Sequence, residues 1–184
     1  VRTTNLFVGY FRKKTIKGEY IMPNWTSNEV RFKSRINSKK QLTKLKKRLR
    51  GMETIKEFPS NKEVKEVNDF DFNKIVKMPK ALKNTTSPTQ DEDKEQAEKR
   101  LKKYGAKDWY DWNCNNWGTK WNSVDTEIIE DEKEGLTYSF NTAWDCPREI
   151  VEKLQHILDE ELPFISIESW GCVHEDGQEF EQII

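Results

Sequence analysis

GLTYSFNTAWDCPREIVEKLQHILDEELPFISIES, residues 135–169, reads as strand, helix, strand, and it decides the fold class. Leu136, Tyr138 and Phe140 alternate with Thr137, Ser139 and Asn141, the period of a half-buried strand. Ile150, Val151, Leu154, Ile157 and Leu158 fall at i, i+1, i+4, i+7 and i+8, which lines one side of a helix with apolar groups. Asp145 or Cys146 is expected to cap that helix, with Pro147 in its first turn. Pro163 ends it, and Phe164–Ser169 follows as a strand. Upstream, Val124–Glu130 is expected to pair with Gly135–Thr142 as a hairpin turning at 131–134. Downstream, residues 171–184 are expected to form a turn and a weak edge strand over Glu179–Ile183.

The first half supplies the complementary pieces. Glu29–Ile36 alternates apolar and charged residues as a strand does. Asn37 or Ser38 is expected to cap a helix over Lys39–Arg50, with Leu42, Leu45 and Leu49 as its apolar stripe and Gly51 as its end. Residues 52–90 read as irregular. Thr89 is expected to open a further helix closed by Gly105, and a short helix is expected around 107–116. In order this is β, α, a long insertion, β, β, α, β. The expected fold class is α+β, a ferredoxin-like split βαβ sandwich in which two helices cover one face of an antiparallel sheet. The helical, Trp-rich insertion spans about 52–122, and it is expected to cover the second sheet face or cap one edge. Residues 22–184 then make a single domain. Residues 1–21 are basic and aperiodic, and Lys17-Gly18-Glu19 permits a back-translation that resembles a bacterial ribosome-binding sequence upstream of Met22. The expectation is a translated leader, with the native start at Met22.

Composition narrows the function class. The chain is 34% hydrophobic and 35% charged, with a mean hydropathy of −0.96. It holds no apolar run near the roughly eighteen residues that a membrane span needs. Cys114, Cys146 and Cys172 are odd in number and widely spaced, so free thiols in a reducing cytoplasm are expected. The net charge of zero conceals a polarity. Residues 1–58 carry sixteen Lys/Arg against four Asp/Glu, and residues 125–184 carry three against seventeen. Such asymmetry points either to charged macromolecular partners or to two ends that neutralise each other.

Four of the seven tryptophans, Trp109, Trp112, Trp117 and Trp121, fall in DWYDWNCNNWGTKWN, residues 108–122. They are expected to pin the insertion structurally; an aromatic platform for a base, sugar or peptide is the alternative. On the basic helix, Lys40, Lys44, Lys47 and Arg48 are candidate phosphate contacts, or simply a solvated face. Asp159, Glu160 and Glu161 are candidate mimics of a nucleic-acid backbone, or solubilising charge. Cys172-Val173-His174 is half of a metal site without a second pair at zinc-like spacing, and neither a metal nor a cofactor is expected. The chain carries no Gly-rich phosphate loop, G-x-S-x-G or H-E-x-x-H, so no catalytic residue is assigned.

MPNWTSN at 22–28, FDFNKIVKMPKAL at 70–82, DWYDWNCNNWGTKWN at 108–122 and SFNTAWDCP at 139–147 together resemble the YubB-like family, from Met22 to about Trp170. These are small proteins of bacteriophages, plasmids and integrated elements with a C-terminal ferredoxin-like domain. The sequence departs from the family at Thr26, where a cysteine is common, and at Lys77, where a proline is common. The resemblance implies a fold and a mobile-element setting, and no activity. The expected function is therefore a non-enzymatic accessory protein in the host cytoplasm that acts by macromolecular binding. In its sharpest form it is an anti-defence protein, such as an anti-CRISPR, that occupies a nucleic-acid-handling effector. The alternatives are direct nucleic-acid binding through the basic helix 39–50, and a small-molecule or nucleotide-binding protein.

Overall fold

A computed structural model describes residues 24–36, 38–57, 60, 62–90, 93–130, 135–174 and 179–182. The leader expected at 1–21, the Asn37 cap and the 131–134 turn lie outside the described residues.

The architecture is α+β. Strand β1 (Trp25–Ser34) is followed by helix α1 (Lys39–Leu49), then by a hairpin of β2 (Gly51–Glu57) and β3 (Lys62–Asn68). A short 3-10 turn at Phe72–Lys74 leads to α2 (Lys94–Tyr104) and α3 (Trp109–Trp117). Strands β4 (Val124–Glu130) and β5 (Gly135–Ala143), helix α4 (Arg148–Glu161), and strands β6 (Ile165–His174) and β7 (Glu179–Gln182) complete the chain. The main sheet has the order β4-β5-β1-β6-β7, with every neighbouring pair antiparallel; β2 and β3 form a separate two-stranded sheet. Placing β1 between β5 and β6 is compatible with a ferredoxin-like sandwich.

One face of the sheet makes the core. Val30, Phe32, Leu136, Tyr138, Phe140, Ile167 and Trp170 are buried there, beneath Leu45 and Leu49 of α1 and Ile150, Val151, Leu154 and Leu158 of α4. The insertion packs on this same face. Phe70 stacks on Phe140 at 4.6 Å, and Phe72 meets Trp117 edge-on at 5.7 Å. The Trp117 indole donates to Val76 O at 2.9 Å. The expectation that the insertion covers the second sheet face is therefore corrected. That face carries Ser27, Glu29, Arg31 and Lys33 of β1, all exposed, beside Thr137, Ser139 and Asn141 of β5. A face of this polarity is stable against water and needs no cover.

Four expectations about the elements also change. Residues 52–90 are not wholly irregular, because they open with the β2–β3 hairpin. β1 begins at Trp25 instead of Glu29, since Thr26 and Asn28 are buried polar groups that hydropathy alternation does not register. Asn28 Nδ2 donates to Thr142 Oγ1 at 2.9 Å and to Thr26 O at 3.1 Å, and the Thr26 hydroxyl lies 3.0 Å from His174 Nδ1, so both buried side chains have hydrogen-bond partners. β6 runs on to His174, past the expected end at Ser169. Helix α2 starts at Lys94, while Thr89 instead donates to Asp108 Oδ2 at 3.3 Å.

Candidate functional site

Helix α1 turns Leu45 and Leu49 into the core, which leaves Lys40, Lys44 and Lys47 exposed on the opposite side. Arg48 faces α4. Its Nε and Nη2 donate to the two Glu161 oxygens at 2.7 and 3.2 Å, and its Nη1 donates to Lys74 O. That guanidinium holds the Glu161 carboxyl below the usual carboxylate range, chiefly by hydrogen bonding. So two of the sequence-predicted contact residues, Arg48 and Glu161, are spent on each other. Asp159 accepts from Gln155 Nε2 at 2.9 Å, and both Asp159 and Glu160 face solvent.

Where α1 ends, the chain enters β2, and the segment after β3 folds back beneath it. A groove of about 960 Å³ opens between them. Lys47, Arg50, Lys74, Lys77 and Lys83 line it, and all five are exposed. Gly51 sits where a β-carbon would run into the Asp71 side chain, so the close approach of β2 to this segment requires glycine. Below the cations lie two carboxylates, Glu53 and the buried Asp71. Asn122 bridges them: its Nδ2 donates to Glu53 Oε1 and, at 2.8 Å, to Asp71 Oδ1. The Asn122 Oδ1 accepts from the backbone N–H groups of Phe72 at 2.8 Å and Ser123 at 3.0 Å. Asn68 Nδ2 reaches Glu53 at 3.4 Å and Ser123 O at 2.9 Å. Burial first, and the Asp71 charge second, push the Glu53 carboxyl above its ordinary range. The result is a hydrogen-bonded floor under exposed cations that surround an open trough, an arrangement suited to polyvalent anions.

Only Lys47 of this rim belonged to the predicted set. Arg50, Lys74, Lys77 and Lys83 were missed; the run 70–84 places lysine at 74, 77, 80 and 83, but that spacing does not say which of them meet α1, and Lys80 does not line the groove.

A second concavity, about 590 Å³, lies at the start of α4. Cys114, Lys120, Trp144, Cys146, Glu149 and His174 border it. Here the free-thiol expectation is corrected: Cys146 and Cys172 form a disulfide, with their Cα atoms 6.1 Å apart. The pairing of β6 with β1 carries Cys172 to the start of α4, a proximity that a sequence separation of 26 does not reveal. Cys114 is free, and burial pushes its thiol up, which lowers the thiolate fraction.

The tryptophans divide. Trp112 and Trp117 are buried, 5.6 Å apart and edge to face, and Trp109 is half-buried. Trp121 is exposed, 6.1 Å from Trp25, with Lys120 Nζ 4.7 Å from its ring and 4.5 Å from that of Trp144. Asp108 caps α3 by accepting from the N–H groups of Tyr110 and Asp111, each at 3.0 Å.

No family model matches the chain, and no curated protein or solved structure matches it.

Proposed function

We propose that this chain is a non-enzymatic accessory protein of a bacteriophage or mobile element that works in the bacterial cytoplasm by binding a polyanion. We read its scaffold as a ferredoxin-like split βαβ sandwich, extended by β7 and carrying an insertion between α1 and β4. The mobile-element setting rests on the four-motif resemblance. The binding reading rests on one observation: five exposed cations, Lys47, Arg50, Lys74, Lys77 and Lys83, border a single groove. Lys40 and Lys44 extend that surface along α1. The ligand class that fits is a nucleic-acid backbone, whose repeated phosphates engage several mobile cations at once and release counterions.

The test is fluorescence anisotropy with labelled single- and double-stranded oligonucleotides at low salt. The parent chain binds, and the variant Lys47→Glu/Lys77→Glu/Lys83→Glu loses binding at least tenfold. Reversal of the opposite charge, Asp159→Lys/Glu160→Lys, leaves it within twofold. Equal binding by all three chains sinks the groove reading.

A second reading, docking onto a basic channel of a host defence effector, is favoured by Asp159 and Glu160, which face solvent on α4. It inverts the outcome. Protection of a mobile element against the host's nuclease defence is then lost in the Asp159/Glu160 variant and kept in the lysine variant.

A further inference from the structure

Cys172 and His174 are two residues apart on β6, so the strand pleat turns both toward the same side, with Val173 exposed between them. Cys146 reaches them from the turn before α4. The two sulfurs and a His174 ring nitrogen all lie within 4.8 Å of one another. His174 Nε2 is 3.8 Å from Cys146 Sγ and 4.0 Å from Asp145 Oδ1. On the other side of the ring, Nδ1 is 3.0 Å from Thr26 Oγ1 on β1. A disulfide staple by itself has no use for an imidazole held in this orientation. With the proton on Nδ1 donated to Thr26, the Nε2 lone pair points at the sulfurs, the tautomer that a metal-ligating histidine takes.

We propose that this corner is a redox-gated site for a thiophilic divalent cation, zinc by its donor set. In the reduced chain, Cys146 and Cys172 bind as thiolates and His174 binds through Nε2. The exposed Asp145 carboxylate or a water completes a four-coordinate shell. In the oxidised chain the disulfide withdraws two of the ligands, and the cation leaves.

The reductant is a dithiol. Its thiolate attacks Cys146 Sγ, because Cys146 borders the 590 Å³ concavity and is the less buried of the two residues, at 9% exposure against 1% for Cys172. The Cys146–Cys172 bond breaks, Cys172 leaves as a thiolate, and the second thiolate of the dithiol resolves the mixed disulfide and frees Cys146. Two electrons and two protons pass to the protein, and the dithiol becomes a disulfide. Zinc binding then displaces the thiol protons to solvent. A small disulfide reverses the exchange and ejects the metal.

The experiment uses the full chain, reduced with a phosphine, desalted without oxygen and titrated with cobalt(II). The reduced chain develops thiolate-to-cobalt absorption with tetrahedral d–d bands that saturates near about one ion per chain, and zinc bleaches it. The oxidised chain shows none. His174→Ala still forms the disulfide, read by thiol counting, yet loses cobalt affinity at least tenfold. Thr26→Val loses about 10–100-fold. Cys146→Ser and Cys172→Ser show no charge-transfer band comparable to the parent's. Should reduction loosen the fold, zinc restores the thermal midpoint of the reduced parent and leaves that of His174→Ala unchanged. A reduced, folded chain without cobalt absorption overturns the proposal. So does a His174→Ala chain that binds as tightly as the parent, or a reduced chain that unfolds and is not rescued by zinc.

Discussion

Tyr138 lies in the middle of β5 with none of its surface exposed, 5.8 Å from the Phe32 ring and 5.1 Å from that of Phe70. Its hydroxyl meets no hydrogen-bond partner among the described residues, and burial pushes its ionisation up. A buried hydroxyl without a partner retains the cost of its lost hydration, while the ring alone supplies the packing. Tyr138→Phe is therefore expected to stabilise the chain by about 1 kcal/mol, read as a rise in the urea midpoint at constant m-value. A loss of stability would show that the hydroxyl is satisfied. Glu53 makes a different case, a titratable group whose folded environment favours its neutral form. Because its carboxyl is raised in the folded chain, the native state keeps a proton that the unfolded state has already released above the ordinary glutamate range. Stability from this group is thus greatest below that range and falls as pH rises through the raised value. Glu53→Gln keeps an acceptor for Asn122 and removes the titration, so urea midpoints followed upward from mildly acidic pH should decline less steeply than in the parent. A slope unchanged by the substitution counts against the floor geometry.

Helices α2 and α3 both end in a glycine with positive φ, Gly105 at 73° and Gly118 at 74°, and the two differ in what surrounds them. A β-carbon at Gly105 would meet nothing within 4 Å among the described residues, so Gly105→Ala should cost only the left-handed strain, about 1 kcal/mol. At Gly118 the same atom would press on the Glu149 carboxylate and come within 3.1 Å of Cys146 O, so Gly118→Ala should cost about 2 kcal/mol or more. Thermal denaturation of the two variants side by side checks the ranking. The same elements show what the sequence disclosed. Helix α4 and strand β5 were readable because each buries a whole face, so their apolar period survives intact. The β2–β3 hairpin was not, because Met52 and Val67 are 61% and 40% exposed and no apolar face marks its strands. The start of β1 was hidden by a different cause, since its buried positions Thr26 and Asn28 are polar, Asn28 answered by Thr142 on β5 and Thr26 by His174 on β6. Of the groove, Lys47 was legible from the helix face alone. Lys74, Lys77 and Lys83 depended on a chain reversal after β3 that no local pattern encodes. The Cys146–Cys172 pair was invisible for the same reason: it is a product of strand register.

Across the whole molecule the charge polarity of the sequence is partly cancelled by folding. The basic α1 lies beside acidic partners from the last third of the chain, with Arg48 on Glu161 and Lys46 on Glu130, while Arg31 and Lys33 of β1 share Glu168 of β6. Exposed pairs of this kind contribute little to stability, typically below about 1 kcal/mol each. Their larger effect is on the field: a paired cation offers a phosphate less than a free-standing one, because the neighbouring carboxylate must be displaced or tolerated. Part of what the pairing leaves over borders the groove, where Lys47, Lys77 and Lys83 stand over carboxylates already held by Asn122 and Asn68, while Arg50 is itself paired with Asp69 at 3.3 Å. The salt dependence of binding should record this division. If the groove grips a nucleic-acid backbone, log K falls linearly with log salt, and each lysine that contacts a phosphate steepens the line by about one. Lys77→Ala should lower the slope by about one, and Lys77→Ala/Lys83→Ala by about two. Arg48→Ala should leave it unchanged, because that guanidinium is committed to Glu161 and to Lys74 O. Anisotropy titrations over a series of salt concentrations measure all three slopes. If Arg48→Ala flattens the line as much as Lys77→Ala does, the ligand lies along α1 instead of in the trough, and the ion pair to α4 opens when it binds.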